Sequence, residues 1–231
     1  MPTKRVQLES RQDQIKIEIK ITDNGSYSAD LTGVIIAHPY GPLGGNMQNN
    51  VVVALHKFFA NRGYVTVRLN FRGCGRSEGK TSWTGMSERE DYQTVVDYLT
   101  EQYPKLSRLI LCGYSYGSMI ASTIRPASVS CSYLLISYPL SVMWLLATMK
   151  YSYFRAEAKK LLQDQEDCLL LFGSKDQFTG VNSYQKWFKT ITSEQVDQVM
   201  IEGADHFWFH NEERLITEVD RWLERHIHSS K

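Results

Sequence analysis

Short apolar runs alternate with amphipathic segments from residue 33 to the end of this chain, and that alternation limits what it can fold into. Gly33-Val34-Ile35-Ile36-Ala37 is continuously apolar, as a strand covered on both faces must be. Residues 49–61 follow with Val52, Leu55, Phe58 and Phe59 at helical spacing and a stop at Gly63. The alternation continues with strands at 64–71, 109–112, 132–136, 168–172 and 198–201. Helices are expected near 87–102, after 115, and at 183–191 and 212–226. Ahead of them, residues 6–8 and Ile15-x-Ile17-x-Ile19-x-Ile21 have the period of two of antiparallel strands, the second half-buried. The expected class is α/β: a doubly wound, mostly parallel sheet of about eight strands with helices on both faces. No repeat or linker divides residues 1–231, so one domain is expected, with 140–166 as a short cap-like insertion.

Composition excludes several functions. The formal net charge is +1, with scattered basic residues, so no field draws the chain to nucleic acid. There is no apolar signal-peptide core and no run of the ~18 apolar residues a membrane helix needs. A cytoplasmic protein without stable membrane insertion, a monomer or weak homodimer, is expected. Cys74, Cys112, Cys131 and Cys168 lie far apart, three of them in or beside apolar strands. They read as small buried hydrophobes rather than disulfide or metal partners.

In such sheets the ligand site lies beyond the carboxyl ends of the strands, and the residues with chemical potential fall there. Gly113-Tyr114-Ser115-Tyr116-Gly117 directly follows the run 109–112 and opens a helix. A serine flanked by glycines on a strand-to-helix turn is held strained with its hydroxyl exposed, as a nucleophile needs to be. Gly113 and Gly117 leave the space for that turn.

A serine hydroxyl needs a general base, usually a histidine oriented by a carboxylate. The turn resembles that of the α/β-hydrolases, a likeness that implies the chain order serine, acid, histidine. His38 and His56 precede Ser115, while His226 and His228 lie near the C-terminus. His206 follows the last strand and is the expected base. His210, beside Asn211 at a helix start, reads as a solvated neighbour of the cap, and no third ligand makes the pair a metal site. Asp176, just past the strand 169–172, is the expected acid. Asp164 and Asp167 precede that strand, and Asp205 is assigned to its own loop. Oxyanion donors are expected from the N–H groups of Tyr116 and Tyr40. The latter lies in the loop His38-Pro39-Tyr40-Gly41, where Pro39 has no N–H.

These elements, with Asn70-Phe71-Arg72-Gly73-Cys74-Gly75-Arg76-Ser77-Glu78-Gly79 after the second parallel strand, resemble the α/β-hydrolase superfamily from about residue 13 to 226. The stretch 38–79 is especially similar to small, nearly cap-less serine hydrolases related to dienelactone hydrolases and short carboxylesterases. The resemblance implies hydrolysis of a small-molecule ester or thioester through an acyl-enzyme, with no metal or organic cofactor and a structural Arg72. A non-catalytic protein of the same fold, or the same residues acting on a C–C, peptide or peracid bond, are the alternatives. The insertion carries Val142, Met143, Trp144, Leu145, Leu146, Met149, Tyr151, Tyr153 and Phe154. They can pack on the sheet or form an apolar wall over Ser115. Trp144, Leu145 and Phe207 are the candidate substrate-binding side chains.

Overall fold

A computed structural model describes residues 3–23, 25 and 31–228. Its strands are β1 (Thr3–Glu9), β2 (Lys16–Thr22), β3 (Leu31–Ala37), β4 (Val65–Leu69), β5 (Leu106–Tyr114), β6 (Ser130–Ile136), β7 (Cys168–Lys175) and β8 (Val196–Asp205). They form one eight-stranded sheet in the order β1-β2-β4-β3-β5-β6-β7-β8. β1 and β2, and β2 and β4, pair antiparallel, and every other pair is parallel. The chain steps outward from β3 to β4, then returns across β3 to β5. The loops leaving β3 and β5 therefore diverge from adjacent strands, with Ala37 paired to Gly113. This switch point is where a doubly wound sheet opens a crevice.

The helices are α1 (Asn50–Asn61), α2 (Met86–Gln102), α3 (Tyr116–Ala121), α4 (Met143–Leu146), α5 (Tyr151–Leu161), α6 (Val181–Phe188) and α7 (Glu212–Leu223). On one face of the sheet, Val34, Ile36, Ile110 and Cys112 lie under Val52, Leu55 and Phe59 of α1 and Leu215, Val219 and Trp222 of α7. On the other, Ile35, Val67, Leu109 and Leu111 pack with Tyr92, Val95 and Leu99 of α2, Met119 of α3 and Phe154 of α5. Burial on both faces requires the unbroken apolar runs of the central strands. Each large side chain withdrawn from water contributes roughly 1.5–3 kcal/mol. α1 begins at a capped end, where Asn49 accepts the Val51 N–H at 3.0 Å.

Some sequence expectations change. β2 is more enclosed than a half-buried strand: Glu18 and Thr22 are buried along with Ile17 and Ile19, while Lys16 is exposed and Lys20 half-buried. The turn after β4 folds over that face, and the Glu18 carboxylate takes Arg5 at 2.8 Å, Asn70 at 2.6 Å and the Arg76 N–H at 2.9 Å. β8 extends past Ile201 to Asp205, which pairs with Lys175 beyond an irregularity in the ladder. α7 ends at Leu223 in a wider turn over Glu224–His228. There the His226 ring lies between Asp167 at 3.0 Å and Asp197 at 2.7 Å.

The insertion holds only α4 and α5. Met143, Leu146, Phe154, Ala158 and Leu161 pack inward, while Trp144, Leu145 and Met149 remain exposed. All four cysteines are buried free thiols. Among the described residues no helix is long and apolar enough to cross a membrane.

Candidate active site

Ser115 sits at φ 55°, ψ −118°, between the end of β5 and the start of α3. Such a conformation costs a non-glycine residue on the order of 1–3 kcal/mol. Its surroundings hold it there: the Ser115 N–H donates to Ile136 at 2.8 Å, and the Ser118 hydroxyl donates to the Ser115 carbonyl at 2.6 Å. Neither flanking glycine tolerates a side chain. A Cβ on Gly113 would lie 2.1 Å from the Gly117 carbonyl oxygen, and one on Gly117 would lie 2.6 Å from that of Ala37.

Three strand ends bring distant residues together. Ser115 follows β5, Asp176 follows β7 and His206 follows β8. His206 Nε2 lies 3.0 Å from Ser115 Oγ, and His206 Nδ1 lies 2.8 Å from Asp176 Oδ2. The other carboxylate oxygen, Oδ1, accepts the N–H groups of Phe178 and Thr179, both at 2.9 Å. All three side chains are buried. The carboxylate can only accept, so Nδ1 carries the proton of the neutral imidazole and Nε2 faces the hydroxyl as an acceptor. The Tyr114 hydroxyl donates to the His206 carbonyl, and the Gln177 side chain accepts its N–H at 3.1 Å. Phe178 and Phe207 set their rings edge-on to the imidazole, at 4.5 and 5.9 Å between centroids.

Beyond β3, the loop carrying Tyr40 packs against the start of α3. The Tyr40 and Tyr116 rings lie 5.2 Å apart. Tyr116 is the first residue of α3, so its N–H has no partner within the helix. The Tyr40 carbonyl accepts from Leu43 and Gly45 at 3.2 and 3.1 Å. Its N–H donates to no protein acceptor among the described residues.

The remaining candidates separate clearly. Asp205 accepts the N–H groups of Phe207 and Trp208, each at 3.0 Å, and so serves its own loop. His210 is exposed beside Asn211, and among the described residues no three metal-binding side chains cluster. Trp144 and Leu145 on α4 are exposed, at 60% and 58%. Arg72 is buried in ion pairs with Asp91 at 2.7 Å and Asp13 at 2.8 Å, tying the turn after β4 to α2. Phe178, Gln177 and Thr179 had no sequence signal beyond lying next to Asp176. His38 was set aside by chain order, yet it is buried at the root of the Tyr40 loop.

Over 96% of its length the chain superposes on an α/β serine hydrolase homologue from Coxiella burnetii, with a TM-score of 0.77, 25% identity and 97% of that chain covered. The fold is that of the α/β-hydrolase superfamily. An esterase from Pyrococcus furiosus matches 97% of this chain and 92% of its own at a TM-score of 0.77 and 21% identity, a likeness of fold. In sequence, an uncharacterised protein of Rickettsia prowazekii is 27% identical over 195 residues, covering 82% of this chain and 77% of that protein. The pattern of the X-Pro dipeptidyl-peptidase (S15) family matches residues 25–130. That span includes the Tyr40 loop and the Ser115 turn and stops short of Asp176 and His206.

Proposed function

We propose that this chain, read as one domain, is a serine hydrolase that cleaves carboxylic esters or thioesters through an acyl-enzyme. The observation that carries the reading is the unbroken hydrogen-bonded chain from Ser115 through His206 to Asp176, at 3.0 and 2.8 Å, behind a strained turn. Ser115 Oγ attacks the carbonyl carbon as His206 Nε2 takes its proton. Asp176 holds the imidazole in the receptive tautomer and stabilises the imidazolium that forms. The N–H groups of Tyr116 and Tyr40 receive the oxyanion, a contribution of roughly 2.7–4 kcal/mol for each donor in comparable sites. His206 then protonates the departing alcohol or thiol, and water repeats the sequence on the acyl-enzyme.

Support for ester chemistry comes from the serine hydrolase and esterase descriptions of the Coxiella and Pyrococcus proteins. The S15 match favours one second reading, cleavage after an N-terminal X-Pro dipeptide. A fluorophosphonate probe should label the wild-type protein and not Ser115→Ala. Folded wild type that takes no label would refute hydrolysis and favour a non-catalytic role. Turnover of an aryl ester or acyl thioester, compared with an X-Pro aryl amide, separates the two readings.

A further inference from the structure

His38 follows β3 directly and is fully buried. Its Nδ1 lies 2.6 Å from the Pro39 carbonyl oxygen, and its Nε2 lies 3.0 Å from the Phe71 amide nitrogen. A carbonyl can only accept and an amide N–H can only donate, so the ring must be the neutral tautomer with hydrogen on Nδ1. Burial acts in the same direction, pushing the His38 pKa down to about 4.

The Pro39 carbonyl belongs to the same planar peptide unit as the Tyr40 N–H. All peptide bonds among the described residues are trans, so the two groups point in opposite directions. Holding the carbonyl therefore aims the N–H. Gly45 also packs closely on that carbonyl, so that a Cβ there would come within 2.1 Å of the oxygen. The next peptide unit is pinned separately by the bonds from Leu43 and Gly45 to the Tyr40 carbonyl.

We propose that His38 is a positioning residue that, through its bond to the Pro39 carbonyl, locks the Pro39–Tyr40 peptide with the Tyr40 N–H directed at the oxyanion. The inference rests on the hydrolase reading above and assigns a role to a histidine that cannot be the base. A rotated peptide would present a carbonyl oxygen to a developing negative charge.

Two substitutions divide the ring's bonds. An asparagine amide reaches the position of Nδ1 and can still donate to Pro39. A glutamine amide reaches the position of Nε2 and can still accept from Phe71. Each variant loses one hydrogen bond, so similar falls in Tm are expected. His38→Gln should lower kcat for an aryl ester about 100-fold with KM little changed, the loss associated with one oxyanion donor. His38→Asn should recover at least tenfold of that. Affinity for a trifluoromethyl ketone, which forms an oxyanion adduct on Ser115, should fall in parallel with kcat/KM.

Equal kcat for the two variants, or kcat that follows Tm, would overturn the proposal. Should neither variant fold, ¹⁵N shifts of the wild-type histidines decide: His38 must show a protonated Nδ1 and a bare Nε2, and the reverse refutes the clamp. If wild type takes no fluorophosphonate, the hydrolase reading fails. If it does and His38→Gln matches it in kcat, only the clamp fails.

Discussion

Replacing Asp176 with asparagine should do more harm to catalysis than removing the side chain altogether. Oδ1 accepts the Phe178 and Thr179 N–H groups at 2.9 Å each. In Asp176→Asn that position must be filled by the amide oxygen, since the NH₂ group would face two donors. The NH₂ group is then turned towards His206 Nδ1, where the carboxylate oxygen now lies at 2.8 Å. Nδ1 becomes an acceptor, the proton moves to Nε2, and Ser115 Oγ faces a donor instead of a base. A wrong-tautomer imidazole in a serine triad costs about 10⁴ in kcat. That is roughly 5.5 kcal/mol at 1.36 kcal/mol per tenfold. The amide keeps its shape and backbone bonds, so the Tm of Asp176→Asn should stay near wild type. Asp176→Ala releases the tautomer but leaves two N–H groups without their acceptor, at about 1–3 kcal/mol each. Alanine should therefore be the less stable variant and the faster enzyme. Steady-state kcat on an aryl ester at pH 8, with thermal melts of all three proteins, tests both rankings. Asparagine within tenfold of wild type, or faster than alanine, would refute the tautomer argument.

Two further outcomes concern the scaffold. Arg72→Met strands the buried Asp91 carboxylate and should cost about 3–5 kcal/mol in urea unfolding, with Arg72→Met/Asp91→Leu regaining most of it. No recovery in the double variant would show that Arg72 acts through packing instead. Burial holds His38 and His56 down to about 4 from 6.5, with Arg68 and Lys20 adding to the effect at His56. Above pH 6.5 both are neutral folded or unfolded, and their contribution is intact. As pH falls from 6.5 towards 4 the unfolded chain binds protons that the folded chain refuses, removing up to about 1.4 kcal/mol per pH unit for each group. His56→Gln should flatten the pH dependence of the urea midpoint over that window, and an unchanged slope would count against it.

The layered architecture was legible because burial on both faces of a sheet leaves a direct trace, as in residues 33–37. The Ser115 turn was legible because a Cβ at Gly113 or Gly117 would come within 2.1–2.6 Å of a backbone oxygen, so neither position admits a side chain. Trp144 and Leu145 were less so, since an apolar stretch on a short helix reads the same whether a given residue faces the sheet or water. Met143 and Leu146 turned in, and their neighbours turned out. Glu18 shows a different gap. Its place in an alternating strand predicts exposure, and Arg5 of the adjacent β1 together with Asn70 and Arg76 of the distant 70–79 turn supplies the donors that allow its burial.

Local pattern by itself determined the strand and helix alternation, the sharp turn at Ser115 and the short menu of candidate acids and bases, because periodicity and steric exclusion act between neighbours in the chain. Only the tertiary structure decided the 3.0 and 2.8 Å separations across Ser115, His206 and Asp176, and the tautomers of His206 and His38. A hydrogen bond depends on ångström placement of atoms from different strands, and that placement comes from the packing of the whole sheet.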